Sequence, residues 1–151
     1  LTSKLKNQNE HLTICAFDEE LTNNNFDEII KNYSIVCDCT DNLNTRLIID
    51  KNCFTKEIPL VHGAVSDWQG YIILLHYKNK FQYQDLFDIK TLLQADSCES
   101  KGICSPVCGM IGSLMSNEVV KIILDIESNL DGGLLYVNVL NNTFKTLKLN
   151  K

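Results

Sequence analysis

The chain reads as an α/β fold: a mixed sheet with helices on both faces. Three observations predict it. The apolar run Ile35-Val36-Cys37 passes through Asp38, Thr40, Asp41 and Asn42 into Leu43, Leu47 and Ile48, which recur at helical spacing; a buried parallel strand meets its following helix in this way. Two apolar stretches, 60–65 and 71–77, flank the turn-like segment 67–70, so they form a hairpin-like pair and add antiparallel strands to the parallel sheet. Residues 107–126 carry the longest helical pattern, with Ile111, Leu114, Val119, Ile122 and Ile123 apolar.

In chain order, residues 1–10 are polar and read as the end of a helix. Residues 11–17 alternate and are rich in strand formers, which predicts a first strand. Residues 18–25 form a polar loop, and 26–33 a short helix with Phe26, Ile29 and Ile30 on one face. The organising strand follows, with its helix from Asn42 to about Phe54; Thr40 or Asp41 can cap the first turn. Pro59 opens the next strand, in which Gly63 signals close backbone approach. Trp68, at the turn, is expected to pack. Residues 81–93 are mixed and 95–106 have loop composition. Gly109 and Gly112, three apart near the start of the long helix, suggest tight packing of that end on a neighbour. Residues 134–140 and 143–149 make a final hairpin across Asn141-Asn142.

The 151 residues suffice for one domain with its own core. A formal charge of −5 argues against a nucleic-acid binder, which would normally be basic. No apolar run reaches membrane-spanning length and no signal pattern occurs, so a cytoplasmic protein without a membrane partner is expected. Seven cysteines without a secretory signal suit free thiols in a reducing compartment. No Cys-x-x-Cys pair occurs, so the usual zinc spacing is absent. Cys37 and Cys39, two apart, are expected to be core residues. His62 and His76 lie in apolar strands and read as satisfied core histidines. A cluster of Cys98, Cys104 and Cys108 with a histidine would have five and three intervening residues, an uncommon metal pattern.

A strand that ends in acids and opens a helix is where open α/β sheets place ligands, and an acid there can hold Mg²⁺ beside a phosphate. Asp41 and Asn42 could equally be helix caps. The run Asp38-Cys39-Thr40-Asp41-Asn42-Leu43-Asn44-Thr45-Arg46 resembles the signature of the ThiF/MoeB/HesA family, bacterial relatives of ubiquitin-activating enzymes. The strand Pro59-Leu60-Val61-His62-Gly63-Ala64-Val65-Ser66, and the run from Cys98 through Gly102, Pro106 and Gly109 to Gly112, then Leu114, Glu118 and Lys121, match in the same order.

The resemblance implies a Rossmann-like mixed sheet, the C-terminal portion of a ThiF/MoeB-type adenylation domain spanning residues 1–151. The family's Gly-x-Gly-x-x-Gly phosphate loop is absent from these residues and is expected upstream. The family's first zinc pair would fall near residues 83–88, where there is no cysteine, so no structural zinc is expected. The implied reaction is ATP-dependent adenylation of the C-terminal glycine of a ubiquitin-like sulfur carrier of ThiS or MoaD type, by a homodimer. Asp41 is the implied catalytic acid, organising Mg²⁺ and phosphate; Asn42 lies beside it on the nucleotide. Cys98 is the implied thiol of thioester or persulfide chemistry, with Lys101 near enough to favour its thiolate. Arg46 is expected to pair with Asp38 or Asp50. The alternative is a non-catalytic partner subunit or carrier-binding module without its own phosphate loop.

Overall fold

The computed structural model describes residues 2–90, 92 and 102–149. One five-stranded sheet runs β1 (Val36–Asp38), β2 (Leu60–Ser66), β3 (Gln69–Leu75), β4 (Gly133–Asn138) and β5 (Thr143–Lys148), in spatial as well as sequence order. β1 and β2 are parallel; every later pairing is antiparallel. The helices are α1 (Thr2–Gln8), α2 (Phe26–Ile30), α3 (Leu43–Thr55), α4 (Tyr83–Leu86) and α5 (Ser105–Ile123).

The period-two alternation of β2 and β3 divides the interior into two cores. Leu60, Ile73 and Leu75 point to one face, where Phe26, Ile30, Leu43, Ile49, Cys53, Phe81 and Tyr83 cover them. Val61, Ile72 and Leu74 point to the other and pack on Val107, Ile111 and Met115 of α5. Full burial of side chains of this kind stabilises by roughly 1.5–3 kcal/mol each, and the four-residue spacing of Val107, Ile111 and Met115 puts all three on one stripe. Pro106 sits in the first turn of α5, where no amide donor is required.

α3 begins at Asn42, whose side chain accepts from the Thr45 amide at 2.8 Å, a standard N-cap. It ends in a Schellman motif. Ile58 N donates to Cys53 O (2.9 Å) and Glu57 N to Phe54 O (3.2 Å), with Glu57 at φ 55° where glycine is usual. α5 ends in the same way, through Ile126 N to Lys121 O and Asp125 at φ 51°.

Several expectations fail for identifiable reasons. Residues 11–17 form no strand; their alternating pattern pairs with no strand of the sheet, and propensity alone does not make a strand. β1 is three residues long and pairs with β2 alone among the described residues, and Cys37 and Cys39 there are exposed, not core; of the described cysteines only Cys53 is fully buried. Trp68 is 42% exposed at the β2–β3 turn, where its carbonyl rather than its ring is used, accepting from Val139 N. A Cβ at Gly109 or Gly112 would meet nothing within 4 Å, so neither glycine marks close packing among the described residues; Gly63 and Gly70 do, beneath Ile111 and Met115. None of the described helices is long and apolar enough to cross a membrane.

Candidate functional site

β1 stops after three residues while its neighbour β2 runs on for four more. The chain leaves β1 at Cys39 and turns into α3, so among the described residues the far half of β2 has no strand partner on that side. The gap is a cavity of about 380 Å³, lined by Thr40, Asp41, Arg46, Gly63, Ile111 and Met115 among others. It lies beyond the carboxyl end of a parallel strand, the usual ligand position in open α/β sheets. A second cavity, of about 310 Å³, lies on the opposite face of β2 and is lined by Tyr71, Tyr83, Phe87 and Tyr136. Arg46, Ala64 and Val65 border both.

Asp38 anchors the turn between β1 and α3. It is 1% exposed. One carboxylate oxygen accepts the Thr40 amide (2.9 Å) and the Thr40 hydroxyl (2.7 Å); the other faces His62 Nδ1 at 2.8 Å. Burial pushes its pKa up, but the bonds and charge of His62 and the two bonds from Thr40 outweigh burial and hold it below the ordinary range. The parallel register places Asp38 directly beside His62, so the pair follows from strand alignment. His62 Nε2 meets the Tyr71 hydroxyl at 3.2 Å, and burial first, then Tyr83, raises the Tyr71 pKa.

Asp41 is exposed and lines the first cavity. Its carboxylate makes no hydrogen bond or ion pair with any described residue. Asn42 is also exposed, but its side-chain oxygen is taken by the helix cap. The alternative left open by sequence thus divides: Asn42 is a cap and Asp41 is not. Arg46 pairs with neither Asp38 nor Asp50. Its Nε and Nη2 donate to the Thr40 carbonyl at 3.3 and 2.8 Å, while the Asp38 oxygens are engaged by Thr40 and His62. Asp50 instead holds His76 Nε2 at 2.8 Å and the Tyr83 amide at 3.0 Å. Both histidines are buried and paired with an acid, although His76 Nδ1 has no partner among the described residues.

Cys98 and Lys101 lie outside the described residues. Cys39 and Cys108 both line the first cavity, and burial, then the Asp38 charge, raises the Cys39 thiol. Among the described residues no three His, Cys, Asp or Glu side chains gather as a metal site. The Asp38–His62–Tyr71 chain was not anticipated. Its signal was present: Asp38 and His62 are each the third residue of successive parallel strands, and polar groups at matching depth in buried strands must partner each other.

Comparison with known proteins gives a consistent picture. The chain is 35% identical over 153 residues to adenylyltransferase and sulfurtransferase MOCS3 of Caenorhabditis briggsae, covering 100% of this chain and 38% of that protein. It is 31% identical over 148 residues to molybdopterin-synthase adenylyltransferase of Haemophilus influenzae, covering 96% of this chain and 60% of that protein. The chain therefore spans 38% and 60% of the length of these two curated relatives. Among solved structures, E. coli MccB with ATP superposes with a TM-score of 0.77 at 14% identity, over 99% of this chain and 46% of that one. PaaA gives 0.73 at 13% identity, over 99% and 54%. At such identities these two show the fold alone. The sequence profile of the ThiF family matches residues 1–151, and the chain belongs to that family.

Proposed function

We propose that this chain is the C-terminal part of an ATP-dependent adenylyltransferase that activates the C-terminal glycine of a ubiquitin-like sulfur carrier of ThiS or MoaD type. The observation that carries the reading is the Asp41 carboxylate, which has no partner among the described residues. It stands at the cavity beyond β1, on a turn that Asp38 fixes from below. The family membership and the relatives named as adenylyltransferases support it.

In the reaction, a carboxylate oxygen of the carrier attacks the α-phosphorus of ATP. The bond to the bridging oxygen breaks, and pyrophosphate leaves with that electron pair. The product is an acyl-adenylate, whose AMP a later sulfur nucleophile displaces. The protein's share is positioning and charge stabilisation. Asp41 is a hard oxygen donor of the kind Mg²⁺ takes, and the ion would offset triphosphate charge there. Asn42 keeps its amide N–H groups for the nucleotide, since only its oxygen serves the cap. Arg46 borders both cavities and donates from Nε and Nη2 to a neutral carbonyl, so its positive charge meets no carboxylate among the described residues and suits the carrier's terminus. The aromatic-walled cavity beside it gives the acyl end an apolar channel. Cys98 is assigned to sulfur transfer after adenylation, not to adenylation itself.

A homodimer belongs to the same reading. Ile123 and Leu124, 68% and 61% exposed at the end of α5, provide apolar surface for it, and light scattering tests it. The cytoplasm fits a chain whose six described cysteines are all free.

The test is carrier-dependent ATP–pyrophosphate exchange with the intact gene product. Asp41→Ala is expected to abolish exchange, and Cys98→Ala to leave it intact while stopping sulfur transfer. Normal exchange by Asp41→Ala would remove the assignment. Tight carrier binding without nucleotide affinity in calorimetry would favour the partner-subunit reading instead.

A further inference from the structure

Thr40 has every polar group fixed. Its amide and hydroxyl go to Asp38, and its carbonyl to Arg46. Asp41 is the next residue, and its carboxylate has no partner among the described residues. Its direction is set through its two neighbours: Asn42, fixed in the cap of α3, and Thr40, whose amide and hydroxyl hang on Asp38. Asp38 is in turn held by one side chain outside its own turn, His62.

The histidine is well built for this. Asp38 and His62 each have about 1% of the side chain exposed. The imidazole stands edge-on to Tyr83, with centroids 5.1 Å apart at 84°, and tilted to Tyr71 at 5.6 Å, so the ring is clamped. An ionised Asp38 only accepts, so Nδ1 carries a proton toward it, and Nε2 faces the Tyr71 hydroxyl. A buried charge is a costly way to fill a core, and a well-packed apolar pair would serve stability as well or better. Here every bond of the network ends at Thr40 or at Tyr71, which lines the second cavity.

We propose that His62 is a positioning residue for the adenylation step: through Nδ1 it locks Asp38, and so Thr40, in the geometry that aims Asp41 into the cavity. This rests on the adenylation reading above.

The experiment compares two amides in the intact protein. In His62→Asn the amide nitrogen occupies the place of Nδ1 and keeps the Asp38 bond. In His62→Gln it occupies the place of Nε2, reaching Tyr71 and leaving Asp38. His62→Gln is expected to lower kcat of ATP–pyrophosphate exchange about 10–100-fold, the loss typical of ångström-scale misplacement, with KM for ATP little changed. His62→Asn is expected to stay within about threefold of wild type. Hydrogen exchange of the Thr40 amide is read alongside: faster in the glutamine variant, unchanged in the asparagine variant. Equal kcat in the two variants, whether both reduced or both normal, would overturn the proposal. If the glutamine variant does not fold, Thr40→Val removes only the hydroxyl bond to Asp38; a reduced kcat supports the proposal, and a wild-type kcat overturns it. A wild-type protein without exchange would sink the adenylation reading, and the Thr40 amide would then decide this one: protection lost with Gln and kept with Asn supports it, equal protection overturns it.

Discussion

Gly63 and Gly70 lie on adjacent strands beneath α5, and the helix rests on them. The two sites differ in what a methyl group would meet. A Cβ at Gly70 would stand 2.7 Å from Ile111 Cγ1 and 2.9 Å from the Ala64 carbonyl oxygen. Neither can yield easily: isoleucine is stiff at χ1, and the carbonyl belongs to the β2 backbone. A Cβ at Gly63 meets Met115 Sδ most closely, then Ile111 Cγ2 at 3.1 Å and Met115 Cγ at 3.2 Å; the worst clash is with methionine, which has three rotatable bonds with which to move aside. Overpacking costs typically 1–3 kcal/mol, so Gly70→Ala is expected near 3 kcal/mol and Gly63→Ala near ~1 kcal/mol. Gly109, in α5, has nothing within 4 Å of its virtual Cβ; alanine there removes a helix-interior glycine and should stabilise by about 1 kcal/mol. Gly70→Ala and Gly109→Ala are thus separated by roughly 4 kcal/mol, nearly a thousandfold in the folding constant. Equilibrium urea unfolding with a common m-value measures all three. A Gly70→Ala variant as stable as wild type, or a Gly109→Ala variant less stable than wild type, would refute the reasoning.

Asp50→Ala should cost about 3–5 kcal/mol in the same assay, because it strands a buried histidine and a buried amide; Asp50→Asn, which keeps an acceptor for Tyr83, should cost less. In native protein at pH 8, iodoacetamide should modify exposed Cys15 and Cys108 first, with Cys37 and Cys39 slower because burial raises their thiols. Cys53, pushed up to about 12 by burial and then by Asp50 and Asp38, should stay unmodified until the protein unfolds, and mass mapping reads the order. Asp38 has a folded pKa below its ordinary 3.8, so its stabilisation is complete above that value and is lost as pH falls through the folded one. The stability gap between wild type and Asp38→Asn should accordingly be full at pH 6 and shrink below about pH 4; a gap that widened on acidification would contradict the assignment.

The sequence by itself determined the elements whose signals are local. The strand-to-helix passage at Asp38–Asn42, the two hairpins and the long helix through Ile111 are all written in periodicity and turn chemistry, and the structure has them where expected. The motif around Asp41 also carried the family. What required the tertiary structure was everything set by neighbours across the sheet. Residues 11–17 have the alternation of a strand and pair with none. Cys37 and Cys39 look like core and are exposed, since β1 pairs with β2 alone among the described residues. Gly109 and Gly112 resemble a packing motif, whereas the close approach belongs to Gly63 and Gly70, and no local pattern says which glycine a helix will lie on. The partners of Asp38, Arg46 and Asp50 followed from strand register and from competition for a limited number of acceptor sites. That competition exists only once chain segments distant in sequence are side by side.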